Sequence, residues 1–175
     1  MGKIYDGILR GMNWLSDILN KICSVIVAVI GAVMAASLLW GVFTRFVLHA
    51  PAIWTEEVAR FCMVWLAFIG CSIVMKKKDL TSLNIIVDRL PPRGKKTMEI
   101  VGTLLVLSYV VIFMISGKDA MKIFMRAKAS ATKVPLVYPA AGLYIGAFVI
   151  GVHGITQLLE QIKEYVLEFG RKGGK

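Results

Sequence analysis

The segment PAIWTEEVARFCMVWLAFIGCSIVM, residues 51–75, decides the fold class of this chain. Glu56, Glu57 and Arg60 lie near its start, and an apolar run then continues to Met75. A helix needs about 20 mostly apolar residues to cross the ~30 Å hydrocarbon core of a bilayer, because its backbone groups must be bonded within the segment. The segment therefore predicts a membrane-spanning helix with charged residues at its mouth.

Three other apolar stretches of the chain are also too long for strands. Hydrophobic residues make up 57% of the 175 residues and charged residues 18%, and the mean hydropathy is +0.71, so the expected solvent is a bilayer. We expect an all-α membrane protein with four transmembrane helices in a single domain, residues 1–175. The expected spans are about 22–43, 55–75, 98–117 and 136–158, and the third continues as a helix to about 127.

Two shorter stretches have the apolar spacing of amphipathic helices. Residues 4–19 predict an N-terminal interfacial helix that leads into the first span, with a frayed terminus as the alternative. Residues 79–90 predict an amphipathic helix along the cytoplasmic face between spans 2 and 3, ended by Pro91 and Pro92.

The net charge of +10 first indicates the orientation of the chain and not a nucleic-acid partner. Of the 21 Lys and Arg residues, 14 would lie on the side of the two termini and seven on the other side. This bias predicts that both termini are cytoplasmic. Basic residues at both ends of the cytoplasmic segment between spans 2 and 3 are candidates for contact with anionic lipid headgroups. They are Lys76, Lys77, Lys78, Arg93, Lys95 and Lys96.

The residues that membrane chemistry needs are scarce in the apolar runs. Spans 1, 3 and 4 have no acidic residue there, whereas coupled carriers normally place one within the membrane. His49 and His153 are interpreted as structural, and Cys23, Cys62 and Cys71 as small apolar fillers without metal spacing. We expect a protein that is not an enzyme, with no catalytic or metal site and no cofactor.

Small residues recur at four-residue spacing on two spans. Ala28, Ala32 and Ala36 share one face of span 1, and Gly142 and Gly146 share one face of span 4. Such faces let helix backbones approach closely in lipid. They predict either a tightly packed scaffold or a broad contact with another membrane protein.

A basic stripe follows the third span. Lys118, Lys122 and Arg126 are four residues apart, on a helix that would be ~46 Å long if it ran from Thr97 to Ala127. Such a helix must tilt strongly or project beyond the membrane. The stripe is either a solvated edge or a docking surface.

Three motifs resemble the small membrane subunit (the Q subunit) of tripartite ATP-independent periplasmic (TRAP) transporters. They are WTEEVARFCMVWLAFIGCSIVMKKKDL at 54–80, NIIVDRLP at 84–91 and VPLVYPAAGLYIG at 134–146. With the four spans, the resemblance covers residues 15–160. One departure concerns the start of the cytoplasmic helix, where many members have a His and, four residues on, an acid; Leu80 and Asn84 stand at those positions here.

The resemblance implies a multi-pass protein of the bacterial inner membrane and a role within a transport complex. A larger membrane subunit would contain the substrate and sodium sites, and a periplasmic substrate-binding protein would deliver a small organic anion. The small subunit would serve as a scaffold while part of its partner moves as an elevator. An autonomous small carrier, or a membrane-anchor subunit of an enzyme, is the alternative.

The charged cluster at residues 54–60 has two interpretations. In the first, Thr55 is an N-cap, Glu56 and Glu57 interact with the helix dipole, and Arg60 pairs with one of them, next to an interfacial Trp54. In the second, the cluster anchors the chain to the large subunit or helps to seat the binding protein.

Overall fold

The computed structural model describes residues 2–77 and 92–169. Within these ranges the chain forms four long helices: α1 Gly2–Phe46, α2 Trp54–Lys77, α3 Pro92–Arg126 and α4 Val137–Phe169. Each is long and apolar enough to cross a membrane. The predicted all-α class with four spanning helices is therefore confirmed, whereas the amphipathic helix expected at 79–90 lies outside the described residues.

The N-terminal stretch 4–19 is helical, but it is not a separate element. It continues directly into the first span as one helix of 45 residues, Gly2–Phe46. At 1.5 Å per residue this helix is ~68 Å long, more than twice the thickness of the hydrocarbon core. Its interfacial location stays a prediction.

Helix α3 is unbroken from Pro92 to Arg126, and the bounds of the membrane span within it stay a prediction. Its 35 residues correspond to ~52 Å, so it too exceeds the hydrocarbon core. The extra length carries the basic stripe at its C-terminal end.

Helix α2 packs against both α1 and α4, and α3 joins the bundle mainly through α4. At the centre Ile69 of α2 is fully buried beside Cys23 of α1 and Val149 of α4. Trp65 of α2 packs against this cluster, and its indole Nε1–H donates to the carbonyl of Tyr138 at 3.1 Å. These contacts fix α4 next to α2 along most of the bundle.

The outer surface of the bundle is strongly apolar. On α1, Val25, Val29 and Leu39 are 57–70% exposed, and on α3 Leu105 and Ile112 are 65% and 63% exposed. Contiguous apolar surface of this kind is rare on soluble monomers and marks contact with lipid or with another membrane protein.

Candidate functional site

The charged cluster at the start of α2 divides into two sets of contacts. Glu56 lies 3.7 Å from Arg45 of α1 and 3.6 Å from Arg60, four residues further along α2. All three side chains are more than half exposed. The predicted pair with Arg60 is thus present through Glu56, and Arg45, which the sequence did not indicate, joins α1 to it.

Glu57 has a different role, because its carboxylate holds the connection between α3 and α4. It accepts hydrogen bonds from the backbone N–H of Ala131 at 2.8 Å, the N–H of Thr132 at 2.9 Å and the hydroxyl of Thr132 at 2.8 Å. Hydrogen bonds to an ionised acceptor are stronger than neutral ones. Glu57 therefore fixes a loop that lies 74 residues away in the sequence.

The loop that Glu57 holds, residues 127–136, is tightly folded. The N–H of Ala129 donates to the carbonyl of Val134, and the N–H of Leu136 donates to that of Ala127, both at 2.9 Å. Lys133 has a φ of 56°, in the left-handed region. Such a conformation is unfavourable for a side-chain-bearing residue, so the surrounding bonds must hold it.

Thr55 is not the N-cap that the sequence predicted. Helix α2 begins at Trp54, and the Thr55 hydroxyl donates to the carbonyl of Ala52 at 2.7 Å. A cap would instead accept a bond from an N–H within the first turn. The side chain is buried against Gly41, where an added Cβ would lie 2.6 Å from the Thr55 Oγ1.

The two small-residue faces differ in what they touch. Ala28, Ala32 and Ala36 are exposed and lie away from the other helices. Gly142 and Gly146 are buried against α2, where an added Cβ would lie 2.8 Å from the Trp65 ring and 2.7 Å from Phe68 Cβ. Only the three alanines form an open face, and we name them the alanine face of α1.

The basic candidates occupy opposite ends of the bundle. Lys118, Lys122 and Arg126 are exposed, and the Lys122 ammonium donates to Asp119 at 2.9 Å. At the other end Lys76 pairs with Asp17 at 3.0 Å, and Lys96 pairs with Glu164 at 3.9 Å. Of the other four headgroup candidates, Lys77 is exposed, Lys95 is half-buried, Arg93 lies in the first turns of α3, and Lys78 lies outside the described residues.

A polar cluster between α1 and α4 was missed in the sequence. Asn13 donates to Glu160 at 2.7 Å, and the Ser16 hydroxyl lies 2.7 Å from Nδ1 of His153. Ser16 and His153 are 0% and 2% exposed. The sequence indicates a structural role for His153, but no local pattern links it to Ser16 on the amphipathic N-terminal stretch.

A second polar contact joins α3 to α4. The hydroxyl of Thr103 donates to Oε1 of Gln161 at 3.0 Å, and both side chains are buried. Among the described residues there is no group of three or more His, Cys, Asp and Glu side chains that could hold a metal ion. The buried cluster at the centre of the bundle, Cys23, Ile69 and Val149, is apolar.

Comparison with known proteins places this chain in a family. The family model of the DctQ component of tripartite ATP-independent periplasmic transporters matches residues 34–164. The sialic acid TRAP transporter small permease protein SiaQ of Vibrio cholerae is 27% identical over 107 residues, which cover 56% of this chain and 62% of that protein.

Two longer permease proteins are also similar. The isethionate TRAP transporter permease protein DctMQ of Oleidesulfovibrio alaskensis is 25% identical over 116 residues, covering 65% of this chain and 18% of that protein. The sialic acid TRAP transporter permease protein SiaT of Haemophilus influenzae is 26% identical over 76 residues, covering 43% of this chain and 12% of that protein. The family model matches well over half of the 175 residues of this chain. The chain therefore belongs to the family of the DctQ component of tripartite ATP-independent periplasmic transporters.

Proposed function

We propose that the chain is the small scaffold subunit of a TRAP-type secondary transporter. It would support a large permease subunit in the sodium-coupled uptake of a small organic anion that a periplasmic binding protein delivers. The observation that carries this proposal is the family match over residues 34–164. The relatives' names mention sialic acid and isethionate, and both compounds are organic anions at neutral pH.

The match to DctMQ supports a partnership with a large permease subunit. The segment similar to this chain makes up only 18% of that permease protein. In DctMQ, a segment that resembles the small subunit and the rest of the permease belong to one polypeptide. This arrangement is consistent with a small and a large subunit that act together. By analogy, this separate chain would associate with a large subunit.

The exposed apolar surface supports a scaffold that is packed against a partner in the membrane. The alanine face of α1 would allow close approach of a partner helix, because small side chains let backbones come together. Trp54, Glu56 and Arg60 are exposed at the start of α2, near the C-terminal end of α1, where Glu56 lies 3.7 Å from Arg45. We assign them to the same contact, and we assign to Glu57 an indirect role through the loop it holds.

In the proposed orientation the chain lies in a bacterial inner membrane, and both of its termini are in the cytoplasm. The loop end of the bundle, with Glu57 and residues 127–136, would then face the periplasm. There Lys118, Lys122 and Arg126 would present a basic docking surface to the binding protein. Lys76 and Lys77 would lie at the level of the cytoplasmic lipid headgroups.

Co-expression with a large TRAP permease subunit from the same organism, followed by purification and reconstitution, tests the proposal. The chain should co-purify with the large subunit, and vesicles should take up an organic anion only when both subunits, the binding protein and an inward sodium gradient are present. Uptake by vesicles that contain this chain alone would show an autonomous carrier. Purification without the large subunit would also contradict the proposal.

A further inference from the structure

A small polar cavity lies where α1, α2 and α4 meet, at the end of the bundle that holds the termini. Its volume is about 20 Å³. It is lined by Asn13, Ser16, Met75, Lys76, His153, Thr156, Gln157 and Glu160. Seven of these eight residues carry a polar or charged group, although the helices around the cavity are apolar along most of their length.

Two polar atoms of its lining are buried without a hydrogen-bond partner in the protein. They are Nε2 of His153 and Oε1 of Gln157. Nδ1 of the same imidazole already lies 2.7 Å from the Ser16 hydroxyl. Buried polar groups are nearly always bonded, to protein or to ordered water, so these two atoms indicate a ligand between them.

The size and chemistry of the cavity restrict that ligand. A cavity needs about 10–15 Å³ to hold one water molecule, so this volume suits a water and excludes an organic ligand. Among the described residues no three His, Cys, Asp or Glu side chains are grouped to hold a metal ion, and the ammonium of Lys76 also lies in the wall. A neutral molecule of one heavy atom that both donates and accepts hydrogen bonds satisfies both buried atoms.

We propose that this cavity is a binding site for one ordered water molecule that bridges His153 and Gln157. In the proposed arrangement the Ser16 hydroxyl is the donor to Nδ1 of His153, 2.7 Å away, and Nε2 carries the imidazole proton. That N–H donates to the water, and the water donates to Oε1 of Gln157. The resulting chain of hydrogen bonds joins the N-terminal part of α1 to α4 through buried groups, and it does not depend on the proposed transport role.

Nuclear magnetic resonance of the full-length chain, labelled with ¹⁵N-histidine in detergent micelles, tests this site. The chain has only two histidines, so a His49→Asn variant assigns the signals of His153. We expect the His153 proton on Nε2, with magnetisation transfer from a bound water to that proton. A proton on Nδ1, or the absence of transfer from water, would overturn the proposal.

Two glutamine variants provide a matched comparison on the same helix. Gln157→Met removes the oxygen to which the water would donate a hydrogen bond. Gln161→Met instead removes a side chain that accepts a hydrogen bond directly from the Thr103 hydroxyl at 3.0 Å. We expect the transfer from water to His153 to be lost in Gln157→Met and retained in Gln161→Met. Equal transfer in both variants would show that the water does not bridge to Gln157, and the wild-type spectrum decides the site if either variant fails to fold.

Discussion

At the residue scale, Glu57 shows how a charge at the mouth of a membrane helix can serve the fold. Its neighbour Glu56 forms exposed ion pairs with Arg45 and Arg60, which contribute little, ~0–1 kcal/mol for a typical surface pair. Glu57 instead accepts three hydrogen bonds from residues 131 and 132. The two adjacent acids, identical in chemistry, therefore differ in what they hold.

We expect Glu57→Gln to loosen the loop at residues 127–136. The amide has one oxygen in place of two and no charge, so it cannot reproduce the three bonds to Ala131 and Thr132. Hydrogen–deuterium exchange should become severalfold faster at the amides of Ala131 and Thr132. Glu56→Gln is the control and should leave that exchange unchanged; equal effects from both variants would contradict the specific role of Glu57.

At the element scale, the four long apolar helices could be predicted from the sequence because hydrocarbon thickness sets a minimum length of apolar helix. The contacts between helices did not follow. Gly142 and Gly146 were grouped with Ala28, Ala32 and Ala36 as small residues, yet only the alanines are exposed. Spacing places residues on one face of a helix, but it does not say which neighbour covers that face.

The same limit explains the clustered side chains that were missed. Glu57 and Thr132 are 75 residues apart, and Ser16 and His153 are 137 apart. No local pattern links such residues, because the contact exists only after the helices pack. By contrast, the Glu56–Arg60 pair was predictable, since residues four apart are neighbours on any helix.

Gly146→Ala should destabilise the packing of α4 on α2. An added Cβ would lie 2.7 Å from Phe68 Cβ and 2.8 Å from its carbonyl carbon, and the backbone cannot move aside as a flexible side chain could. Overpacking of this kind typically costs ~1–3 kcal/mol. Thermal unfolding of the purified chain in detergent should show a lower midpoint than the wild type.

Gly31→Ala is the matched control for that variant. Gly31 lies in α1, and an added Cβ there would meet nothing within 4 Å. Alanine favours a helix over glycine by ~1 kcal/mol, so the unfolding midpoint should stay equal or rise. A Gly146→Ala variant as stable as Gly31→Ala would show that α4 can move away from α2 without loss.

At the scale of the whole molecule, the alanine face of α1 should decide assembly with the large subunit. Ala32→Leu places a bulky side chain on an exposed position, so it should not disturb the isolated chain. If a partner helix packs closely there, co-purification with the large subunit should fall severalfold.

Ala67→Leu is the control for the same substitution on α2, where Ala67 is also exposed. It should leave co-purification unchanged if the partner contact is confined to α1. An equal loss in both variants would mean that the contact extends over α2 or that added bulk disturbs assembly generally. Full assembly of Ala32→Leu would remove the alanine face from the contact.

The orientation of the bundle provides the last whole-molecule prediction, because the docking role proposed for the basic stripe of α3 depends on it. Lys128, in the loop that Glu57 holds, and Lys77, at the end of α2, are both exposed and lie at opposite ends of the bundle. In a background with the three native cysteines replaced, Lys128→Cys should react with a membrane-impermeant thiol reagent in intact bacterial cells. Lys77→Cys should react only after the cells are permeabilised. The reverse pattern would put the basic stripe of α3 in the cytoplasm, where it could not meet a periplasmic binding protein.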